Sequence, residues 1–230
     1  MKTHTIQKLV LISLFALSAS VFAEDKINWT GPYVGIDAGY SWTRDSNTEL
    51  ETSDGAPNGY TATNKPKGGL IGINAGYNYL VNDKWLLGLG AEFKTYNANN
   101  TSEQCDGPCE TYYIKSSLRN KFSLLAKAGY LVNDKTLLYL NGGWANAQFK
   151  RNYFDDDDGG IGSGDSFKSW QDGWTLGLGS EYHFYNNLTA KIEYRYTDLG
   201  SKTTYSPYFN YNEKQNAHQN EVTAGVAYHF

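Results

Sequence analysis

The segment Gly76-Tyr77-Asn78-Tyr79-Leu80-Val81-Asn82-Asp83-Lys84 is echoed by Gly129-Tyr130-Leu131-Val132-Asn133-Asp134-Lys135, and each copy is followed by an apolar pair, Leu86-Leu87 and Leu137-Leu138. A looser copy runs from Tyr182 to Leu188 around Tyr185-Asn186-Asn187. Asn and Asp tolerate the positive φ that short turns need, so all three read as tight hairpins between antiparallel strands. The segments between these hairpins are of another kind. Trp42 to Lys67, Ala98 to about Thr111, Asn152 to Ser169 and Gly200 to Asn220 are long, polar and rich in Gly, Asn, Asp and Ser. Short turns at one end and long loops at the other are the layout of an antiparallel transmembrane barrel, with the turns periplasmic and the loops extracellular. Three short turns and four long loops require an all-β chain of eight strands, with both termini at the turn end.

Period-two patterning places those strands at Tyr33 to Trp42, Leu70 to Leu80, Trp85 to Tyr96, Tyr113 to Leu131, Thr136 to Arg151, Trp170 to Phe184, Leu188 to Asp198 and Glu221 to Phe230. The seventh is the clearest: Leu188, Ala190, Ile192, Tyr194 and Tyr196 alternate with Thr189, Lys191, Glu193, Arg195 and Thr197. In the fifth, the period slips around Gly142-Gly143, where a bulge is expected. A soluble barrel alternates too, but it turns its apolar face inward. Aromatic residues favour the membrane reading: Trp85, Tyr130, Phe184, Tyr228 and Phe230 gather at the turn side, and Trp42, Tyr96, Trp170 and Tyr196 at the loop side, as two interfacial girdles.

The amino terminus fits export. Lys2 and Lys8 precede the apolar stretch from Leu9 to Phe22, which ends in Val21-Phe22-Ala23, so residues 1–23 read as a signal peptide and 24–230 as a single barrel domain. Removing Lys2 and Lys8 from the 20 basic residues leaves 18 against 24 acidic ones, a net charge of about −6 that argues against a nucleic-acid partner. No run is long and apolar enough for a spanning helix.

Three stretches resemble the opacity-protein-like outer-membrane β-barrel family, often labelled porin family proteins, which includes surface antigens and hemin-binding proteins. Trp29-Thr30-Gly31-Pro32-Tyr33-Val34-Gly35-Ile36-Asp37-Ala38-Gly39-Tyr40 resembles its opening strand, and Ala190-Lys191-Ile192-Glu193-Tyr194-Arg195-Tyr196-Thr197-Asp198-Leu199-Gly200 its penultimate one. The closing stretch from Val222 through Val226, Tyr228 and Phe230 is similar to the carboxyl-terminal signal read by the barrel-assembly machinery. The resemblance implies a cell outer-membrane protein surrounded by outer-membrane lipid. It says little about activity, because variable loops carry the binding functions of such folds.

The alternation sends Asp37, Glu92, Glu181, Glu193 and Glu221 into the lumen with Lys94, Lys127, Lys191 and Arg195. An eight-stranded lumen is just wide enough for side chains to fill, so mixed charges there read as a compensated plug rather than an ion path. Cys105 and Cys109, in Cys105-Asp106-Gly107-Pro108-Cys109, are the only cysteines of an exported chain and read as a small intraloop disulfide; with no nearby His they fall short of a zinc site. The run Asp155-Asp156-Asp157-Asp158 lacks the alternating pattern of a calcium loop and reads as a solvated surface segment. His183 beside Glu181 reads as a lumenal hydrogen bond, and neither it, His229 nor His218 faces a nucleophile, so neither an enzyme nor a cofactor is expected. Two functions remain: a scaffold displaying loops to host or envelope molecules, or a binder of a small ligand such as hemin, with a narrow porin as the variant reading of the lumen. Tyr60, Tyr205, Tyr208, Phe209 and Tyr211 suit loop contacts with proteins or glycans.

Overall fold

A computed structural model describes residues 28–104, 112–155, 166–207 and 210–230. The residues of the expected signal peptide, Cys105, Cys109, Asp156 to Asp158, Tyr208 and Phe209 lie outside the described residues, and with them the expected disulfide and the acidic run beyond Asp155.

Among the described residues nine strands form one antiparallel sheet: β1 (Gly31–Leu50), β2 (Pro57–Asn64), β3 (Lys67–Leu80), β4 (Trp85–Gln104), β5 (Tyr112–Asn133), β6 (Thr136–Asp155), β7 (Ser166–Tyr185), β8 (Leu188–Ser206) and β9 (Tyr211–His229). Each pairs with its neighbour, and β1 closes the ring on β9 from Tyr33↔His229 to Leu50↔Asn212. The barrel is still eight strands around. β1 pairs with β3 only up to Trp42↔Lys67 and with β2 from Asp45↔Asn64 onward, so β2 continues β3 upward past a break at Lys65-Pro66. Proline has no N–H for the ladder; there its carbonyl accepts from Thr43 N at 2.8 Å.

The three turns fold as their asparagines dictate. Asn82 Oδ1 accepts from Lys84 N and Trp85 N at 3.0 and 2.9 Å, Asn133 Oδ1 accepts from Lys135 N at 3.0 Å, and Asn186 adopts φ 38°. The opposite end differs from the expected loops. The polar segments are mostly strand: β1 runs on to Leu50, β4 to Gln104, β8 to Ser206, and β9 begins at Tyr211. Asn, Asp and Gly give these segments a loop composition, but continuous pairing with both neighbours outweighs propensity. The expected bulge at Gly142-Gly143 is absent: both lie in regular register opposite Ala126 and Leu125, and a glycine on each face merely hides the period. The irregularities on that pair fall instead at Arg119, between Leu118↔Phe149 and Asn120↔Gln148, and at Val132 beside the turn, between Leu131↔Leu137 and Asn133↔Thr136.

Burial is inverted relative to a soluble protein. Ile36, Ile71 and Leu89 are 64, 63 and 70 % exposed on the outer wall, while Lys94, Lys121 and Arg151 are at most 1 % exposed inside. Such a wall suits lipid, and β1 carries its apolar face from Val34 to Trp42, about the ~9–11 residues a tilted spanning strand needs. The girdle residues point outward, with one correction. Tyr96 shares the inward face of Glu92 and Lys94, and its hydroxyl donates to Glu221 Oε2 at 2.8 Å.

Candidate functional site: a filled lumen and a raised rim

Period-two geometry delivers all nine expected lumenal charges to the interior, and a tenth with them. Lys121, missed in the sequence reading although it lies three alternations from Lys127 on the same face, is wholly buried. Five carboxylates, Asp37, Glu92, Glu181, Glu193 and Glu221, then meet five cations, Lys94, Lys121, Lys127, Lys191 and Arg195. Glu221 is held by Lys94 at 2.7 Å and Lys121 at 3.0 Å, and Lys94 also reaches Glu92 at 3.2 Å. Arg195 bridges Glu92 and, at 2.5 Å, Glu193. Glu193 further accepts from Tyr139 Oη at 2.9 Å and Asn141 Nδ2 at 2.7 Å. Lys191 pairs with Asp37 at 2.8 Å, and Lys127 lies 3.7 Å from Glu181. The histidine next to Glu181 is not the expected one: His229 Nε2 lies 2.9 Å from its carboxylate, whereas His183 Nδ1 turns to Asn186 O at 3.2 Å.

Apolar layers bracket this network. At the turn end Trp29 folds into the mouth, 2 % exposed, donates its indole N–H to Asp134 O at 3.0 Å, and packs edge-on against His183 with Leu86, Leu131 and Leu137 around it. On the far side Leu70, Leu118, Phe149 and Leu199 form a second layer. Between the layers a cavity lined by Tyr33, Asn74, Tyr139 and Lys191 measures ≈ 30 Å³, room for about one water.

Above the second layer the rim has its own polar core. Arg151 donates to both Asp45 oxygens at 2.9 and 2.8 Å, and to Gln215 and Gln171 at 2.9 and 3.1 Å, while Ser116 Oγ donates to Asp45 at 2.6 Å. Burial works to lower the Arg151 pKa, yet the Asp45 carboxylate holds it above its ordinary value. Tyr153, one inward step higher, accepts from Gln215 Nε2 at 3.1 Å, and burial together with Glu213 pushes its phenol well above the usual range. Asp45 and Gln215 lie in segments read from composition as loops; they share one inward face with Thr43, Asn47, Glu213 and Ala217, but no apolar alternation marks those segments in the sequence. Five strands, β1, β5, β6, β7 and β9, are thus tied together beyond the membrane wall.

The last strand turns Val226, Tyr228 and Phe230 outward, with the two rings edge-on at 4.9 Å. Outward-facing His218 is engaged, Nδ1 lying 3.1 Å from Tyr196 Oη and 3.5 Å from Asp198.

A closed antiparallel barrel with an apolar outer wall and a charged interior defines a transmembrane β-barrel protein of the outer membrane. Residues 9–230 match the outer membrane protein beta-barrel domain, and the chain belongs to that family. It is 30 % identical over 191 residues to a 31 kDa outer-membrane immunogenic protein of Brucella melitensis, covering 77 % of this chain and 74 % of the relative. It is 27 % identical over 217 residues to a 25 kDa outer-membrane immunogenic protein of Brucella abortus, covering 86 and 87 %. The outer membrane protein OprG of Pseudomonas aeruginosa shares its fold at a TM-score of 0.58 and 17 % identity, over 89 % of this chain and 99 % of that one. The protein is therefore a resident of the cell outer membrane.

Proposed function

We propose that the protein is a non-enzymatic surface scaffold with a closed lumen, and that it binds host or envelope molecules through its raised β rim. The observation that carries this reading is the rim itself. β1 extends eight residues beyond Trp42, from Thr43 to Leu50, and the space inside is filled by the Asp45–Arg151 network instead of water-exposed loop. Such a platform holds its outward side chains in fixed positions before a partner arrives, which lowers the entropic cost of binding. The immunogenic outer-membrane proteins similar to this chain are in keeping with a surface-exposed role. Hemin binding is the weaker reading, because His218 already has Tyr196 and Asp198 as partners. A conducting pore is disfavoured by the two apolar layers on either side of mutually paired charges. Residues 1–23 we assign to a cleaved export signal, and outward Val226, Tyr228 and Phe230 to contact with the assembly machinery before β9 closes on β1.

The test is deletion of each strand connection in turn, beginning with residues 51–56, on intact cells assayed for adhesion, alongside planar-bilayer recording. Loss of adhesion with an intact barrel and no steady conductance is expected. Unchanged adhesion after deletion of each of the four longer rim connections, residues 51–56, 105–111, 156–165 and 207–210, removes the scaffold reading, and steady large conductance removes the closed lumen.

A further inference from the structure

Just above the apolar belt, the outer wall of β5–β7 carries charges in an arrangement that costs stability unless an anion joins it. Lys150 on β6 and Lys168 on β7 are direct cross-strand partners on the outward face, and like charges placed so repel. The irregularity at Arg119 puts that residue outward beside outward Asn120, re-aiming a third cation to the same spot. Together with Thr95, Asn120 and Gln148, the three cations line a concavity of ≈ 360 Å³ that no carboxylate among the described residues lines. Among the described residues none of the three makes an ion pair, although five carboxylates a wall's thickness away are each paired inside.

The position selects the anion. Trp170 sits opposite Gln148, one alternation below the lysine pair, and is 42 % exposed, which marks the membrane interface. Two residues along a strand rise about 7 Å, so the ammonium groups hover at headgroup level. Further down the outward wall, Phe122 and Trp144 pack edge-to-face at 6.0 Å, past the outward Asn146–Asp172 pair, whose Asn146 Nδ2 donates to Asp172 Oδ1 at 2.7 Å and so occupies that carboxylate. We propose that this site binds the phosphorylated headgroup of an acylated lipid of the surrounding outer leaflet, with phosphate on Arg119, Lys150 and Lys168 and acyl chain on Phe122 and Trp144. A soluble phosphate meets the cations alone; a lipid meets both surfaces at once.

The experiment uses the full barrel in phosphatidylcholine nanodiscs doped with lipid A, a phosphorylated acylated disaccharide, and counts lipid A retained after transfer to neutral detergent by mass spectrometry. The variant R119Q/K150Q/K168Q is expected to lose retention roughly a hundredfold, at ~1 kcal/mol per cation at an anionic surface, while R44Q/K214Q, on the β1–β9 wall of the rim, retains it. The single K150Q guards against misfolding: it is expected to raise the melting temperature in neutral detergent by ~1–2 °C, by relieving the lysine repulsion, and to lower it in lipid A nanodiscs. Equal retention by the triple variant overturns the proposal. So does displacement of lipid A by inorganic phosphate at comparable concentration, which identifies a soluble anion as the ligand, and so does a melting shift of the same sign in both media.

Discussion

Replacing Lys121 with methionine measures how dry the lumen is. The buried ammonium lies 3.0 Å from Glu221 Oε2, 3.0 Å from Gln219 Oε1 and 3.4 Å from Thr197 Oγ1. After the change Glu221 keeps Lys94 at 2.7 Å and the Tyr96 hydroxyl at 2.8 Å, so the carboxylate loses one of three partners rather than all. Breaking a pair in a dry interior costs ~3–5 kcal/mol, and the surviving partners place Lys121→Met near ~3. Were water to fill the lumen, the same pair would behave as an exposed one, worth ~1 kcal/mol or less. Glu221→Gln removes the acceptor shared by two ammonium groups, of which only Lys94 has a second carboxylate, Glu92 at 3.2 Å; ~4–5 kcal/mol is expected. The double variant should fall short of the sum by ~1–3 kcal/mol, since both changes act on one network. Urea unfolding in lipid bilayers, followed by tryptophan fluorescence and the heat-dependent gel shift of folded barrels, reads all four corners. A Lys121→Met cost below ~1 kcal/mol with no coupling would refute the closed lumen even if no conductance were recorded.

Other perturbations separate rim from belt. Arg151→Met leaves Asp45 buried with Ser116 as its remaining donor, and should cost ~3 kcal/mol; proteolysis of the rim strands is expected to rise while the gel shift of the belt persists. Gly39→Val strikes the closing seam: a Cβ at Gly39 falls 2.1 Å from Val222 O and 2.8 Å from Thr223 Cα, both backbone, so the folded fraction on refolding should drop sharply. Tyr153 has a folded pKa raised well above its unfolded value of ~10, so its contribution is complete below pH ~10 and is lost as pH rises beyond that. The urea midpoint should therefore fall as the pH rises above about 10, and Tyr153→Phe should flatten that slope. Trp29→Ala empties the periplasmic mouth and should cost ~3–4 kcal/mol by the same urea assay.

The strand count, turns and lumenal register were legible because each rests on a local rule. Asn-Asp turns announce themselves by residue type, and a two-residue period assigns every side chain of a strand to one face once a single member is placed. Rules of composition did worse. Thr43, Asp45 and Asn47 look like loop residues when strands are expected to be apolar on alternate positions, but above the membrane neither face needs to be apolar. Ladder closure then decides alone, and it is a non-local property. Tyr96 failed for a related reason: an aromatic near a strand end fits a girdle by type, and only its parity with Glu92 and Lys94 sends it inward. The break at Lys65-Pro66 was hidden because its consequence, β2 stacked on β3, depends on β1 being long enough to hold both.

That the rim is strand rather than loop changes what a partner can touch. In β1 and β9 the odd positions Asp45, Asn47, Glu213 and Gln215 face the interior, which leaves Arg44, Ser46, Lys214 and Asn216 to solvent. β8 reverses its parity above the irregularity that contains Gly200, where φ is +60° and Asp198 Oδ1 accepts from Gly200 N at 2.8 Å; Leu199 points in below it and Ser206 points in above. Any residue larger than glycine is strained at that φ, so Gly200→Val should disturb the outward set of β8, including Tyr205, without touching the membrane wall. Substitutions at outward rim positions should therefore alter partner binding at constant stability, and substitutions at inward ones should alter stability first. A peptide copying residues 43–50 exposes both faces and has no β9 or β2 beside it, so it should compete poorly with the intact rim in an adhesion assay. Effective competition by that peptide would mean that the partner reads a linear segment, and that the rigidity of the rim plays no part in recognition.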